Sequence, residues 1–351
     1  KLIMAYTTIN KSSDYFNTKL YTGNGGTQAL TGVGFQPDLV WLKERSSAGA
    51  GLLFDAVRTA TKFVRSSDSA AEVTAADTLT AFNSDGFTLG ADSGNYAANQ
   101  NSETYASWNW KAGTSFTNDA SSTGIGSIDS AGSVNQDAGF SICTFTGTGS
   151  AGTIKHGLNT VPKMIIVKGR SEAKAWTVYH SALGAGKAIF LEQTAAATTS
   201  DAYFGGTTPT SSVFSVGSST NVTGNGITFV AYCFADVKGY SKFGNYTGNG
   251  SVNGPFIYTG FKPSFIIIKR TDTVNDWLVF DNKRDIDNIV ENKVNANSSD
   301  AETINSALDF LSNGFKLKNT GINFNAIGGA YIYMVFGQSM VGSNNVPATA
   351  R

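Results

Sequence analysis

Short apolar runs, separated by glycine, proline, asparagine and aspartate, recur along the whole chain. They are rich in β-branched and aromatic residues, a pattern typical of β-strands joined by tight turns. Residues 40–42 (Val-Trp-Leu) and 266–268 (Ile-Ile-Ile) are apolar at every position. A strand of this kind needs cover on both faces. We therefore expect these two runs to be central strands of a sheet.

Turn signals are spaced at short intervals between these runs. Asn-Gly and Asp-Gly pairs favour tight turns, because both positions tolerate positive φ. They occur at Asn24-Gly25, Asp85-Gly86, Asn225-Gly226, Asn249-Gly250 and Asn313-Gly314. The spacing predicts an all-β fold of jelly-roll-like sandwiches with about seven or eight strands each. Apolar residues at helical spacing in residues 299–311 predict at most a short helical turn there, so we expect few or no helices.

The chain also repeats itself three times. Each copy carries an aromatic-Thr-Gly-x-Gly motif, then a proline 16 or 17 residues later, then a lysine six residues after the proline. A polar residue stands 18 residues after each proline, and an aromatic strand closes each copy. The motifs start at Tyr21, Phe145 and Tyr246, the prolines are Pro37, Pro162 and Pro263, the lysines are Lys43, Lys168 and Lys269, and the polar residues are Asp55, His180 and Asp281. Landmarks recurring in order indicate tandem domains.

These landmarks set the predicted boundaries. Three β-sandwich domains are expected over residues 1–113, 139–238 and 239–340. Residues 114–138 are rich in serine and glycine and predict a flexible linker. Residues 341–351 are expected to form a C-terminal tail.

Charge and composition exclude several classes of function. The chain has 26 basic and 26 acidic residues, and its 15% of charged residues is below the average of about 25%. Without a basic excess, we expect no nucleic-acid partner. No run of 18 apolar residues exists, so no membrane insertion is expected. Met4 looks like a natural start, and we expect no signal peptide. Cys143 and Cys233 are the two cysteines of the chain, so one disulfide bond between them is an alternative to two free thiols.

No catalytic, cofactor or metal signature was found. The chain lacks Gly-x-Ser-x-Gly, and its two histidines and two cysteines do not have the spacing of a zinc site. Asp55-x-x-Arg58 and Asp281-x-x-Arg284 favour salt bridges over paired catalytic acids, and residues 285–288 resemble a solvated loop more than a calcium loop. The chain is therefore predicted not to be an enzyme.

The tryptophans are the remaining candidates for a binding role. Trp41, Trp176 and Trp277 lie on repeat landmarks and are expected in the core. Trp108 and Trp110 share one face of a predicted strand. They are the best candidates for stacking against a sugar, with the core as the alternative.

Residues 15–25, 34–43, 82–90, 108–113 and 341–351 together resemble a β-domain that recurs in structural and tail-associated proteins of tailed phages from marine bacteria. The resemblance implies a non-enzymatic virion protein: a fibre, an appendage or a decoration of the tail or capsid, on the particle surface. Its implied partners are capsid, portal or tail components, copies of itself and a host-surface glycan. The alternative is a carbohydrate-binding, lectin-like adhesin that serves as a receptor-binding protein.

Overall fold

The computed structural model describes residues 7–339, apart from the side chain of Ser306. The proposed start at Met4 and the predicted tail 341–351 lie outside these residues. Strands make up 44% of the chain and helices 5%, which confirms the all-β class. The helical elements are a 3-10 turn (Ser12–Asp14) and the helices α1 (Ala120–Thr123), α2 (Asp201–Phe204) and α3 (Thr220–Thr223).

Repeat 1 contains a six-stranded sheet, in the order β1-β9-β3-β4-β5-β6, and a three-stranded sheet, β2-β8-β7. Its strands are β1 (Phe16–Thr22), β2 (Gln28–Thr31), β3 (Leu39–Glu44), β4 (Leu52–Asp55), β5 (Lys62–Arg65), β6 (Val73–Thr74), β7 (Leu79–Asn83), β8 (Gly86–Leu89) and β9 (Thr104–Trp110).

Repeat 2 contains an eight-stranded sheet, in the order β10-β11-β12-β19-β14-β15-β16-β17, and a two-stranded sheet, β13-β18. Its strands are β10 (Thr114–Asn118), β11 (Ser130–Asn135), β12 (Phe140–Thr146), β13 (Gly152–Lys155), β14 (Met164–Gly169), β15 (Thr177–His180), β16 (Lys187–Phe190), β17 (Thr198–Thr199), β18 (Val213–Val216) and β19 (Thr228–Phe234).

Repeat 3 forms one eight-stranded sheet that curls towards a barrel, in the order β20-β27-β22-β23-β24-β25-β26-β21. Its strands are β20 (Ser241–Thr247), β21 (Phe256–Tyr258), β22 (Phe261–Arg270), β23 (Trp277–Asp281), β24 (Val290–Asn295), β25 (Thr303–Leu311), β26 (Gly314–Leu317) and β27 (Ala330–Ser339).

The central strands β3, β14 and β22 are covered on both faces, as predicted for β3 and β22. On β3, Leu39 and Trp41 face one core, while Val40 and Leu42 face another. Because neighbouring side chains of a strand point to opposite faces, an unbroken apolar run serves two cores at once.

One of these cores belongs to all three repeats. Each repeat has a private core between its own strands. A further cluster combines the other faces of β3, β14 and β22, and it includes Trp41, Ile166 and Ile267. The three repeats therefore pack as one body around a shared core. At one end of that core, the rings of Trp110, Phe234, Phe265 and Phe336 lie 5.7–6.4 Å apart, in tilted or edge contacts.

The structure differs from the sequence-based expectation in two places. Residues 114–138 are not a flexible linker: β10 pairs with β11, and β11 pairs with β12, so this segment extends the sheet of repeat 2. Residues 303–311 form strand β25 and no helical turn, because Leu308 and Phe310 pair with β26 and bury their side chains in the private core of repeat 3. Tertiary pairing overrode the local helical spacing there.

Candidate functional site: the boundaries between repeats

The polar residues that recur in all three copies lie where one repeat meets the next. The contacts run in one direction around the molecule: repeat 1 reaches repeat 3, repeat 2 reaches repeat 1, and repeat 3 reaches repeat 2. A contact between unlike surfaces that returns to its start after three steps is a closed ring. The shared core fills the centre of this ring.

The landmark lysines make the first set of these contacts. Lys43 Nζ donates to Gly49 O at 2.6 Å within repeat 1 and to Ser298 O at 3.0 Å in repeat 3. Lys168 and Lys269 do the same. Lys168 donates to two carbonyls of its own repeat and Lys269 to one, and each also donates to one carbonyl of the neighbouring repeat, Ser69 O and Thr194 O, both at 3.0 Å. Burial lowers the pKa of each lysine to about 8. Backbone carbonyls satisfy their N–H groups, which a buried ammonium requires.

Asp55 closes the boundary between repeats 1 and 2. Its side chain is fully buried, and Oδ2 accepts bonds from Arg58 Nε at 2.5 Å and from the Tyr232 hydroxyl at 2.8 Å. Arg58 Nη2 also donates to Leu53 O and to the Tyr232 hydroxyl. Burial alone would lower the pKa of Arg58, but the Asp55 charge raises it above its usual range.

Asp281 plays the same part between repeats 3 and 1. Its Oδ2 accepts bonds from Arg284 Nε at 2.6 Å and from Trp108 Nε1 at 3.0 Å. The Arg284 guanidinium lies 5.5 Å from the centre of the Trp108 ring. Burial would raise the pKa of Asp281, but Arg284 outweighs it and holds that pKa below the usual value.

His180 stands at the equivalent position between repeats 2 and 3, but the residue opposite it offers no hydrogen-bond donor. Where the other boundaries have Trp108 or Tyr232, repeat 3 has Met334, which offers no donor; register equates the three positions. His180 Nδ1 accepts from Ala182 N, so Nε2 carries the proton and donates to Tyr333 O at 3.2 Å. Burial lowers the pKa of His180 to about 4, which keeps the ring neutral.

Two glutamates extend the ring outward. Glu72 of repeat 1 accepts from Arg58 and, through both oxygens, from Arg170 of repeat 2 at 2.9 and 3.1 Å. Glu302 of repeat 3 bridges Arg284 and Arg45 of repeat 1 in the same way. The backbone N–H groups of Glu72 and Glu302 also bond across their boundaries, to Arg170 O and Arg45 O. At the boundary between repeats 2 and 3, Ala197 takes the place of the glutamate, so the backbone bond from Ala197 N to Thr271 O at 2.9 Å remains without the side-chain bonds.

Sequence reasoning missed these glutamates, and also Tyr232, because none of them recurs in all three copies. A weak signal was present: an arginine follows the landmark lysine by two residues in two copies, at Arg45 and Arg170.

All five tryptophans are core residues. Trp108 and Trp110 are each 1% exposed and lie in the shared core, so neither ring has a free face for stacking against a sugar. Trp41, Trp176 and Trp277 lie there too. The indoles of Trp176 and Trp277 each donate across a boundary, to Arg65 O and Phe190 O at 2.8 Å.

The remaining candidates have structural surroundings. Cys143 and Cys233 are buried and free in the private core of repeat 2. Asp285 accepts from the backbone N–H groups of Glu291 and Asn292, which shapes its loop. Within residues 7–339, no group of three or more His, Cys, Asp or Glu is placed to hold a metal ion. No helix in that range is long and apolar enough to cross a membrane.

Comparison with known proteins gives a family and no activity. No curated protein matches the chain, and no solved structure matches it. One family model matches residues 11–339, and the match spans the whole ring of three repeats. The chain therefore belongs to the family described as a domain of unknown function, DUF7483.

Proposed function

We propose that this chain is a non-enzymatic structural protein of a bacteriophage virion, a fibre, appendage or decoration of the tail or capsid. The observation that carries the proposal is the closed ring. The Asp, His, Arg, Lys and Trp side chains that recur between copies bond to one another or to backbone across the boundaries. The side chains that recur between the copies therefore hold the three repeats together. A single chain that contains its own three-part assembly is suited to a rigid building block of a particle.

Exposed apolar residues on repeat 3 indicate that this part of the surface binds another protein. All nine exposed large apolar side chains of the described residues lie in repeat 3, between Val252 and Ile327. They are Val252, Phe256, Tyr258, Val274, Ile286, Ile289, Ile304, Ile322 and Ile327. Exposed apolar residues concentrated on one part of a molecule are characteristic of protein contact sites. The partner proposed for them is another protein of the virion.

The edge strand β21 is the clearest part of this surface. Phe256 and Tyr258 point outwards from it, 45% and 52% exposed. Register equates them with Ala29 and Thr31 of repeat 1, which are smaller or more polar. An edge strand with exposed aromatic side chains is open to pairing with a further strand.

Repeat 2 shows how the equivalent edge is covered within this chain. There, Ser127 N and Ile128 N both donate to Thr153 O of β13, at 2.9 and 3.1 Å. Thr153 is the register equivalent of Phe256. In repeat 3 a neighbouring virion protein would take the place of this covering segment.

Locating the protein on purified particles tests the proposal. We expect mass spectrometry of gradient-purified virions to detect the chain, and cryo-electron microscopy to place its density on the capsid or tail. Absence from purified particles would contradict the virion assignment.

A pair of variants tests the contact surface. The double substitution Phe256→Ala with Tyr258→Thr gives β21 the residues of repeat 1, and it should leave the unfolding temperature unchanged but reduce incorporation into particles. The matched control, Ala29→Ser on β2, should incorporate normally. Normal incorporation of the double variant would show that β21 is not the contact.

A further inference from the structure

Repeat 1 carries a cavity that the ring of contacts does not use. Its volume is about 570 Å³, within the range of about 300–1,000 Å³ that is usual for small-molecule sites. It lies where β3 ends and β9 begins, between the loops 45–51 and 92–103. Ser299 of repeat 3 closes its rim, held by a 2.8 Å bond from Gly49 N to Ser299 O.

Two carboxylates line this cavity. Glu44 is only 3% exposed, although it is charged, and Glu103 is partly buried. One oxygen of each is held by a serine hydroxyl: Ser47 Oγ donates to Glu44 Oε1, and Ser46 Oγ donates to Glu103 Oε2. Within the described residues, Glu44 Oε2 and Glu103 Oε1 accept no hydrogen bond. Both oxygens are therefore free to accept hydrogen bonds from a molecule in the cavity.

An aromatic ring and several amides complete the lining. Tyr96 is partly exposed, and its ring packs edge-on against Phe63, with the ring centres 5.1 Å apart. Asn95 and Asn101 add amide groups that can both donate and accept, and Gln100 adds its amide oxygen, because its amide nitrogen is bonded to Asp92. A fixed aromatic ring beside carboxylate and amide groups suits a ligand with apolar C–H faces and many hydroxyl groups.

The loop that carries these groups is held in shape before any ligand arrives. Asp92 is buried and accepts from the backbone N–H groups of Tyr96 and Ala98, at 3.0 and 2.8 Å, and from Gln100 Nε2 at 2.9 Å. Asn95 has a φ of 54° and Ala97 a φ of 66°, which these bonds maintain against the usual preference of such residues. A preorganised loop loses less entropy when it binds.

The lining is specific to repeat 1. Register places Gly169 and Arg270 at the positions equivalent to Glu44, and Ile227 and Gly329 at those equivalent to Glu103. The other two copies fold without these carboxylates. Their presence in repeat 1 therefore has no explanation in the fold that the copies share.

We infer that this cavity binds a neutral saccharide, whose hydroxyl groups donate to Glu44 and Glu103 and whose ring packs on Tyr96. Arg65 also lines the cavity, but it pairs with Asp68 Oδ2 at 2.8 Å. The two carboxylates would therefore repel an acidic sugar, so uronic acids should bind much more weakly. The inference goes beyond the structural role proposed above and does not depend on it, because it concerns the isolated chain.

A glycan array followed by titration calorimetry tests the site on the full chain. The probes are neutral oligomers of glucose, galactose, mannose and N-acetylglucosamine, each set beside a glucuronic-acid oligomer. We expect at least one neutral oligomer to bind, and its uronate counterpart to bind at least tenfold more weakly.

Matched variants localise the binding. Glu103→Gln keeps the shape of the side chain but removes a charged acceptor. Tyr96→Ile introduces the residue found in repeat 3, because Ile322 stands three positions before Asn325 as Tyr96 stands three before Asn99, and the two asparagines make equivalent bonds. Each should weaken binding at least about tenfold: Glu103→Gln because hydrogen bonds to charged acceptors are stronger than those to neutral ones, and Tyr96→Ile because it removes the ring against which the sugar packs. Glu103→Gln should also reduce the preference over the uronate. Glu172→Gln, an exposed carboxylate of repeat 2, is the control and should bind as the unchanged chain does.

Three results would overturn the inference. They are the absence of binding to every neutral oligomer, binding that survives both Glu103→Gln and Tyr96→Ile while those variants remain folded, and saturable binding of Ca²⁺ alone that Glu103→Gln abolishes. The last result would assign the cavity to a cation. Particle location is measured separately, so the virion proposal stands or falls on its own data.

Discussion

At the scale of single residues, the boundaries show how one geometric position can hold different chemistry. Asp55, His180 and Asp281 stand at the same place in the three copies, yet two are anions and one is a neutral ring. The residue opposite explains the difference. Tyr232 and Trp108 offer a donor, so the acceptor is a carboxylate; Met334 offers none, so His180 donates to a backbone carbonyl instead.

His180 should make the protein sensitive to acid. Its pKa is about 4 in the folded chain and about 6.5 when it is unperturbed, so the unfolded state binds more protons between these values. Stability should therefore fall as the pH drops from 6.5 to 4, by up to about 3 kcal/mol from this residue. His180→Gln keeps a donor and removes the titration. Urea unfolding at pH 7 and pH 4.5 should show a smaller loss for the variant; an equal loss would mean that other groups, such as buried His156, dominate.

We expect that the boundary between repeats 1 and 2 accepts the side chains found at the boundary between repeats 2 and 3. Asp55→Asn should cost about 3–5 kcal/mol, because it breaks a buried ion pair and leaves the buried charge of Arg58 with Glu72 as its carboxylate partner. The triple variant Asp55→His, Arg58→Leu, Tyr232→Met reproduces the residues of His180, Leu183 and Met334. It should lose much less, since replacing a buried pair as a unit is often close to neutral. Urea unfolding compares the two variants, and a triple variant as unstable as Asp55→Asn would show that the boundaries are not interchangeable.

At the scale of elements, the segment 114–138 changes the picture of repeat 2. Its hairpin of β10 and β11 widens the sheet, and the residues that follow α1 bond to the edge of β13. Serine and glycine indicated flexibility from composition alone. In the structure, small residues allow close pairing instead: a Cβ placed on Gly132 would lie 1.9 Å from Ile142 O.

Gly132→Ala tests whether this segment is structural. The added methyl group cannot fit against Ile142 O, so β11 should separate from β12, and protease should then cut within residues 114–138. Gly186→Ala is the matched control, because the nearest atom to its added Cβ is 3.4 Å away and its φ is not positive. If both variants resist protease equally, residues 114–138 are a dispensable tether.

At the scale of the whole molecule, the shared core makes the repeats interdependent. Trp41, Ile166 and Ile267 from three different copies bury one another's surface. A separated repeat would expose that face to water, at a cost of about 25 cal/mol for each Å² of apolar surface. The copies are therefore parts of one folding unit, although each has a core of its own.

Calorimetry of the full chain should show this interdependence. We expect a single unfolding transition whose calorimetric and van't Hoff enthalpies agree. Residues 1–113 expressed alone should be insoluble or should self-associate through Trp108 and Trp110. Three separate transitions, or a soluble monomeric fragment with native near-ultraviolet dichroism, would contradict the shared-core account.

The sequence by itself determined the strands, the turns, the three copies and the double-faced central strands. Those features are local: alternation, β-branching and turn residues act over a few positions, and repetition shows where they matter. It also indicated that Asp55–Arg58 and Asp281–Arg284 are pairs, because those partners are three residues apart. Only the tertiary structure decided what covers the second face of each central strand, and why His180 replaces an aspartate. Those contacts join residues 153–177 positions apart, and no local pattern records which distant surface will exclude water from a given face.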